Sequence, residues 1–307
     1  MTVDKLLNAE VWDRLVRNKP LDGLGLGSKD RRVDLTGLTM PEVRVKRTFE
    51  FNGIPMEETE PAPFVKCAKW KSFDFTAGKL KHLRLTECEL SDCLFDRCQL
   101  EDFRVWATAF RECSFTRASL RGAVLGAVEN GKRNVYSGVD FSGADLRRTV
   151  YTAAVFERCN FRHSKLEGID FGTSTFRDCV FEGELRDVIF YQRGFKGESF
   201  PPNEMLNVDF SQAKLHDVGF RGLTLDQVKL PDDSGHIVIR NVAATLNRLI
   251  GALNQQSDTT AKKLLAFLNI DREWRPPNQV QMVINLEDLA ETVGDEGVDR
   301  LRELMGR

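Results

Sequence analysis

Residues 88–102 read CELSDCLFDRCQLED, three five-residue words that each begin with Cys, carry Leu or Phe third and, Leu94 apart, fill the other places with polar or charged residues. A helix repeats every 3.6 residues and a simple strand every 2, so a period of five belongs to neither. Stepping outward by five gives apolar centres at Val65, Trp70, Phe75, Leu80, Leu85, Leu90, Phe95, Leu100, Val105, Phe110, Phe115, Leu120 and Leu125. Two residues before the centres stand mostly small or apolar side chains, among them Ala68, Gly78, Cys88, Cys93, Cys98, Cys113 and Ala118. The register then slips by one near VENGKRN (128–134), and Tyr136, Phe141, Leu146, Tyr151, Phe156, Phe161, Leu166, Phe171, Phe176 and Phe181 continue it. A last block places Phe210, Leu215, Phe220, Leu225 and Leu230 at the same spacing.

The words GADLRR (143–148) and SQAKLHD (211–217) approach the pattern A(D/N)Lxx, and the chain resembles the pentapeptide-repeat family. That resemblance implies an all-β solenoid, a right-handed quadrilateral β-helix with four words per coil and with the centre and the residue two before it pointing inward. Strand alternation agrees, because a short extended piece puts its first and third residues on one side. With twenty residues per coil, Phe75, Phe95, Phe115, Tyr136, Phe156 and Phe176 are expected to form one aromatic column. Leu80, Leu100, Leu120, Phe141, Phe161 and Phe181 are expected to form the next. Both columns require one extra residue near 128–134, a bulge rather than a loop leaving the coil.

Six of the seven cysteines (Cys88, Cys93, Cys98, Cys113, Cys159 and Cys179) fall on the small inward position. Cys93 and Cys113 lie one coil apart, as do Cys159 and Cys179, which strand spacing converts to about 4.8 Å between backbones. A disulfide could span that distance, but reduced core thiols are the expectation for an intracellular chain. Burial raises a thiol's pKa, so none is a candidate nucleophile. No CxxC pair occurs, and His82, His163, His216 and His236 share no ligand spacing. Catalytic, cofactor and metal residues are therefore expected to be absent.

The ends depart from the repeat. Leu6, Leu7, Val11, Trp12, Leu15 and Val16 are spaced for one face of a helix, and GLGLGS (23–28) reads as a linker, giving an N-terminal segment over 1–32. The words VDLTG, LTMPE and VRVKR (33–47) obey the inward rule, so the β-helix is assigned to 33–230, with irregular segments near 48–62 and 182–207. After PDDSG the period becomes helical at Val242, Leu246, Leu249, Ile250 and Leu253. Asp258 can cap a second helix, and QVQMVIN (279–285) reads as a strand. Residues 231–307 thus form a small, mostly helical α+β domain that caps the coil or contacts a partner. Its apolar helices leave a homodimer open.

The 307-residue chain carries 44 Lys+Arg and 46 Asp+Glu, so no global field favours nucleic acid or an anionic membrane. No apolar run approaches the roughly 18 residues of a membrane helix, and acids interrupt the N-terminus where a signal peptide would be apolar. A cytoplasmic location is expected. Some members of the resembled family imitate DNA to bind gyrase and confer quinolone or toxin resistance. Residues 63–230 hold 25 Lys+Arg and 23 Asp+Glu, a balance that departs from a polyphosphate mimic. Glu87, Glu89, Asp92, Asp96, Glu101 and Asp102 could still form a local acidic stripe. Lys66, Lys69, Lys71, Lys79, Lys81 and Arg84 could form a basic one, for which a solvated edge is the simpler account. The expected function is a non-enzymatic protein–protein interaction scaffold, with a gyrase-binding self-protection factor as the alternative. Within 182–207, Tyr191, Arg193 and Phe195 are the expected partner anchors, since aromatic and Arg side chains dominate hot spots.

Overall fold

Through the middle of the chain, strands pair in parallel with their counterparts twenty residues on. The computed structural model describes residues 5–41, 43–51, 54–62, 64–193, 200–274 and 279–306. Val65 pairs with Leu85 and Leu85 with Val105; Trp70 pairs with Leu90 and Leu90 with Phe110. Bridges from Asp74 to Leu94 to Ser114, and from Lys79 to Gln99 to Ser119, complete four parallel ladders per twenty residues. The residue two after each centre turns the corner with positive φ, as at Cys67 (52°), Ser72 (54°), Glu87 (54°), Asp92 (54°) and Arg97 (56°). That conformation costs a non-glycine residue about 1–2 kcal/mol. It is held because the corner amide donates to the next coil, as Asp92 N does to Arg111 O at 3.0 Å. Where Asp precedes a centre, its carboxylate accepts the amide after that centre: Asp74 from Thr76 at 2.9 Å, Asp140 from Ser142 at 2.9 Å.

Phe75, Phe95, Phe115, Tyr136, Phe156 and Phe176 are all buried, but they belong to two columns rather than one. Phe75, Phe95 and Phe115 stack at 5.0 and 4.9 Å between centroids, and the column continues through Phe141, Phe161, Phe181 and Phe210. Tyr136 instead stacks on Phe110 at 5.1 Å and carries Phe156 and Phe176 above it. The reason is the size of the insertion. Phe110 pairs with Tyr136, so that coil holds six extra residues, one whole word plus one, which a five-residue register shows as a slip of one. The extra chain leaves the coil as a hairpin: Glu129 and Lys132 bridge antiparallel around Asn130 (φ 51°) and Gly131 (φ 72°), the two positive-φ positions of a tight hairpin turn. Fully buried Asn134 closes the gap, donating to Val105 O at 2.9 Å and Leu125 O at 3.0 Å and accepting from Thr108 N at 2.9 Å.

Cys93, Cys113, Cys159 and Cys179 are buried and unbridged. Burial pushes the Cys98 thiol up to about 12, and contact with Cys113 followed by burial raises Cys93.

Two stretches differ from the repeat reading. Val33 and Asp34 pair with Phe73 and Asp74, but VRVKR lies in an antiparallel arm, Val43–Phe51 against Ile54–Ala62, rather than in the coil. Residues 182–191 are not irregular: strand Val180–Tyr191 pairs in parallel with Val208–Arg221, with one register shift between Val180 and Glu182.

Helix α1 (Lys5–Val16) buries Val11, Trp12 and Leu15 against the first coil while Leu6 is 81% exposed, off that face. After the coil, strands His236–Ile239 and Met282–Asn285 pair antiparallel. They pack with α2 (Val242–Leu253), α3 (Thr259–Trp274), α4 (Leu286–Val293) and α5 (Asp295–Met305) around a second apolar cluster that includes Leu246, Leu249, Leu264, Leu289 and Leu301. Asp258 accepts Ala261 N at 3.0 Å at the start of α3.

Candidate interaction surface

A stack of parallel coils ends in strands whose amides and carbonyls lack a neighbour, which invites edge pairing. Here side chains from the chain's own terminal elements take part of that role. On the first coil, Asn8 of α1 donates to Thr39 O at 2.9 Å and accepts from Thr39 N at 3.1 Å, while Trp12 Nε1 donates to the same carbonyl at 2.7 Å. On strand Val208–Arg221, beyond the part that Val228–Lys229 pairs with, Leu215 N donates to His236 Nε2 at 3.2 Å, which leaves the ring proton on Nδ1 to donate to Asp233 at 2.8 Å. Asp217 N donates to Asp288 Oδ2 at 2.8 Å, and the other oxygen of Asp288 accepts from His216 Nδ1 at 2.9 Å. Leu225 N donates to Gln281 Oε1 at 2.5 Å.

The lateral faces pair their charges from coil to coil. Lys69 meets Glu89 at 3.6 Å, Lys81 meets Glu101 at 3.5 Å, Arg162 meets Glu182 at 3.0 Å, and Arg32 pairs with Asp92. Asp102 gathers His82 at 2.8 Å, Arg84 at 2.6 Å and Arg104 at 2.8 Å. Burial alone would raise Asp102, but hydrogen bonds from His82 and Arg84 outweigh it and hold the carboxyl below its usual value. Exposed pairs contribute only about 0–1 kcal/mol each. Their effect on the surface potential is larger, because Glu89, Asp92, Glu101 and Asp102 of the acidic stripe, and Lys69, Lys81 and Arg84 of the basic one, are each set against a charge of opposite sign.

A groove of about 670 Å³ opens between the strands Val180–Tyr191 and Val208–Arg221 and the helices α3 and α4. Its apolar wall includes Ile189, Val218, Phe267 and Val283, with Ile270 61% exposed at its side. Asp187, Asp217 and Asp288 supply carboxylates, and Lys263 and Arg221 also line it. Asp187 and Asp217 are corner residues (φ 53° and 48°) on neighbouring strands, flanked by the pairs Arg186–His216 and Val188–Val218. Burial, then the charges of Asp288 and Asp187, raise the Asp217 carboxyl above its ordinary value. Neither Asp187 nor Asp217 has an ion-pair partner among the described residues, and nearby Arg186 is held by Glu184 at 2.5 Å.

Of the anchors read from sequence, Tyr191 is 8% exposed and its hydroxyl donates to Asp170 at 3.2 Å, so most of the ring is spent inside the stack. Arg193 is exposed, and Phe195 lies outside the described residues. Asp187, Asp217, Asp288 and Ile270 were not singled out by sequence reasoning; they are brought together by the docking of the C-terminal helices, which leaves no local signal. Among the described residues no group of three or more His, Cys, Asp or Glu side chains could hold a metal ion, and no helix is long and apolar enough to cross a membrane.

The family model for pentapeptide repeats matches residues 137–172 and 154–183, in eight copies. No curated protein sequence matches the chain. Similar solved structures include a trypsin-treated variant of QnrB1, a plasmid-mediated fluoroquinolone resistance protein, 17% identical over 54% of this chain and 91% of that one, with a TM-score of 0.25. Another is HetL, a pentapeptide repeat protein involved in heterocyst differentiation regulation from the cyanobacterium Nostoc, 12% identical over 55% of this chain and 85% of that one, with a TM-score of 0.18.

Proposed function

We propose that this chain, which carries pentapeptide repeats, is a non-enzymatic scaffold for protein–protein interaction. Residues 33–230, apart from the antiparallel arm Val43–Phe51 and Ile54–Ala62, form a right-handed, four-sided β-helix, 1–32 close its first coil, and 231–307 close its last and contact the partner. Four ladders per coil and buried first and third positions support the four-sided shape; the hand is the one the family resemblance implies. The cytoplasm is its place, where six buried thiols stay reduced.

One observation carries this reading: lateral acids such as Asp92, Glu101 and Asp102 are paired and terminal side chains satisfy edge amides, while the groove joins apolar surface to Asp187 and Asp217, which have no ion-pair partner among the described residues. Exposed Arg193, beside the groove's strand, is a second contact. A gyrase-directed DNA mimic would need a continuous acidic face, and the pairing of Asp92, Glu101 and Asp102 opposes one.

The test is photo-crosslinking of the full chain in host lysate, with the crosslinker placed at Ile270 in the groove or at Val150, 48% exposed and outside the groove's lining. One recurring protein, confirmed by binding of the two purified partners, supports the scaffold. No reproducible protein at either position contradicts it.

A further inference from the structure

We infer that the groove takes a cationic, apolar-flanked segment of a partner protein, its Lys or Arg set against the stacked Asp187 and Asp217 and its apolar side chains on Val218, Phe267 and Ile270. This deepens the scaffold reading and rests on it.

The apolar wall says that something is covered, and the charges say what kind of thing. Lower in the stack, at the same corner column, the carboxylate of Asp102 meets His82 and Arg84 from the neighbouring coil. At the groove, the equivalent corner stacks Asp187 on Asp217, on strands about 4.8 Å apart. The C-terminal helix α4 then adds Asp288, with Glu291 close enough to raise Asp217 further. No neighbouring basic side chain pairs with Asp187 or Asp217 among the described residues. Arg186 is tied to Glu184, His216 sits between Asp288 and Glu287, and Lys263 and Arg221 line the groove without pairing with Asp187 or Asp217. A partner's cation would therefore find two carboxylates whose mutual repulsion it relieves, in a site already partly shielded from water, where charge complementarity also rejects the wrong sign. A nucleic acid would bring phosphates to this rim and is disfavoured by the same field.

The probes are a short fluorescein-labelled amphipathic peptide of Leu, Ala and Lys, and its counterpart with Glu in place of Lys, titrated by fluorescence anisotropy against the full chain. The Lys peptide should bind and the Glu peptide should not. Replacing both acids (Asp187→Asn with Asp217→Asn) or Ile270→Ser should weaken binding about tenfold. The lateral double variant Glu89→Gln with Glu101→Gln should change it less than about twofold. Unfolding temperatures are measured alongside, so that a variant that has lost its fold is recognised and replaced by the milder Ile270→Ala. Equal binding of both peptides, or Lys-peptide binding indifferent to all groove variants, overturns the inference. So does a concentration-dependent dimer abolished by Ile270→Ser, which would give the groove to a second copy. A partner crosslinked at Val150 and unaffected by the groove variants would retire this inference and leave the scaffold reading standing.

Discussion

The coil stack and its C-terminal end treat a corner carboxylate in opposite ways. In the stack, Asp102 is surrounded by His82, Arg84 and Arg104, and its pKa falls below the usual value. At the end, Asp217 meets Asp187 and Asp288, and its pKa rises. Backbone geometry is the same, a positive-φ corner at 56° and at 48°. The difference lies in what the neighbouring coil supplies, and it teaches where this molecule has finished its own electrostatics and where it has left them open.

The largest effect expected concerns the completed part. Phe156→Ala removes a fully buried ring stacked on Tyr136 and Phe176, and should cost about 3–5 kcal/mol in urea unfolding. The assignment to two columns sharpens this. A double-mutant cycle should find about 0.5–1.5 kcal/mol of coupling between Phe115 and Phe141, which stack at 5.4 Å, and clearly less between Phe115 and Tyr136.

Next come the two carboxylates themselves. Asp102→Asn leaves Arg84, whose side chain is 6% exposed, without its charge partner and should destabilise by about 1–3 kcal/mol. Asp217→Asn should be neutral or stabilising by less than about 0.5 kcal/mol. Their pH dependence has opposite sign. Asp102's folded pKa is lowered, so its contribution is present above the unfolded value and is lost as pH falls through the folded one. Asp217's is raised, so its ionisation costs stability at neutral pH and acidification through that raised value relieves the cost. Unfolding of wild type and each variant between neutral pH and about pH 3 would break the comparison if both variants shifted the profile the same way.

A smaller, local effect is expected at the docked end. Asp288→Ala removes the acceptor of Asp217 N and the partner of His216. Hydrogen exchange should rise at the amide of Asp217 and in α4, while the amides of Phe95 and Leu100 stay protected. The smallest is null: added in excess, the full chain should leave gyrase supercoiling unchanged, because the lateral acids Glu89, Asp92, Glu101 and Asp102 are already paired.

Most of the stack was readable because burial at the centre of every fifth residue is a strict demand, which Phe75, Phe95 and Phe115 obey in sequence and in space alike. The insertion was readable in part. Asn130-Gly131 is a strong hairpin signal, but an insertion of one word plus one residue imitates a single bulge, and only strand pairing tells Phe141 from Tyr136 as the ring above Phe115. The corners were not readable, since their positive φ falls on Cys67, Glu87 and Arg97, types with no preference for it, and is imposed by bonds to the next coil. Nor was the groove. Asp187, Asp217, Asp288 and Ile270 lie too far apart in sequence for any periodicity, and tertiary docking alone makes them neighbours.

The most direct test is hydrogen–deuterium exchange of the full chain, alone and saturated with the protein crosslinked to it. The account predicts new protection over 186–190, 217–221 and the last turns of α3, with the lateral ladder around 84–92 unchanged. Protection confined to the lateral ladder, with the groove strands and α3 exchanging as in the free chain, would contradict it.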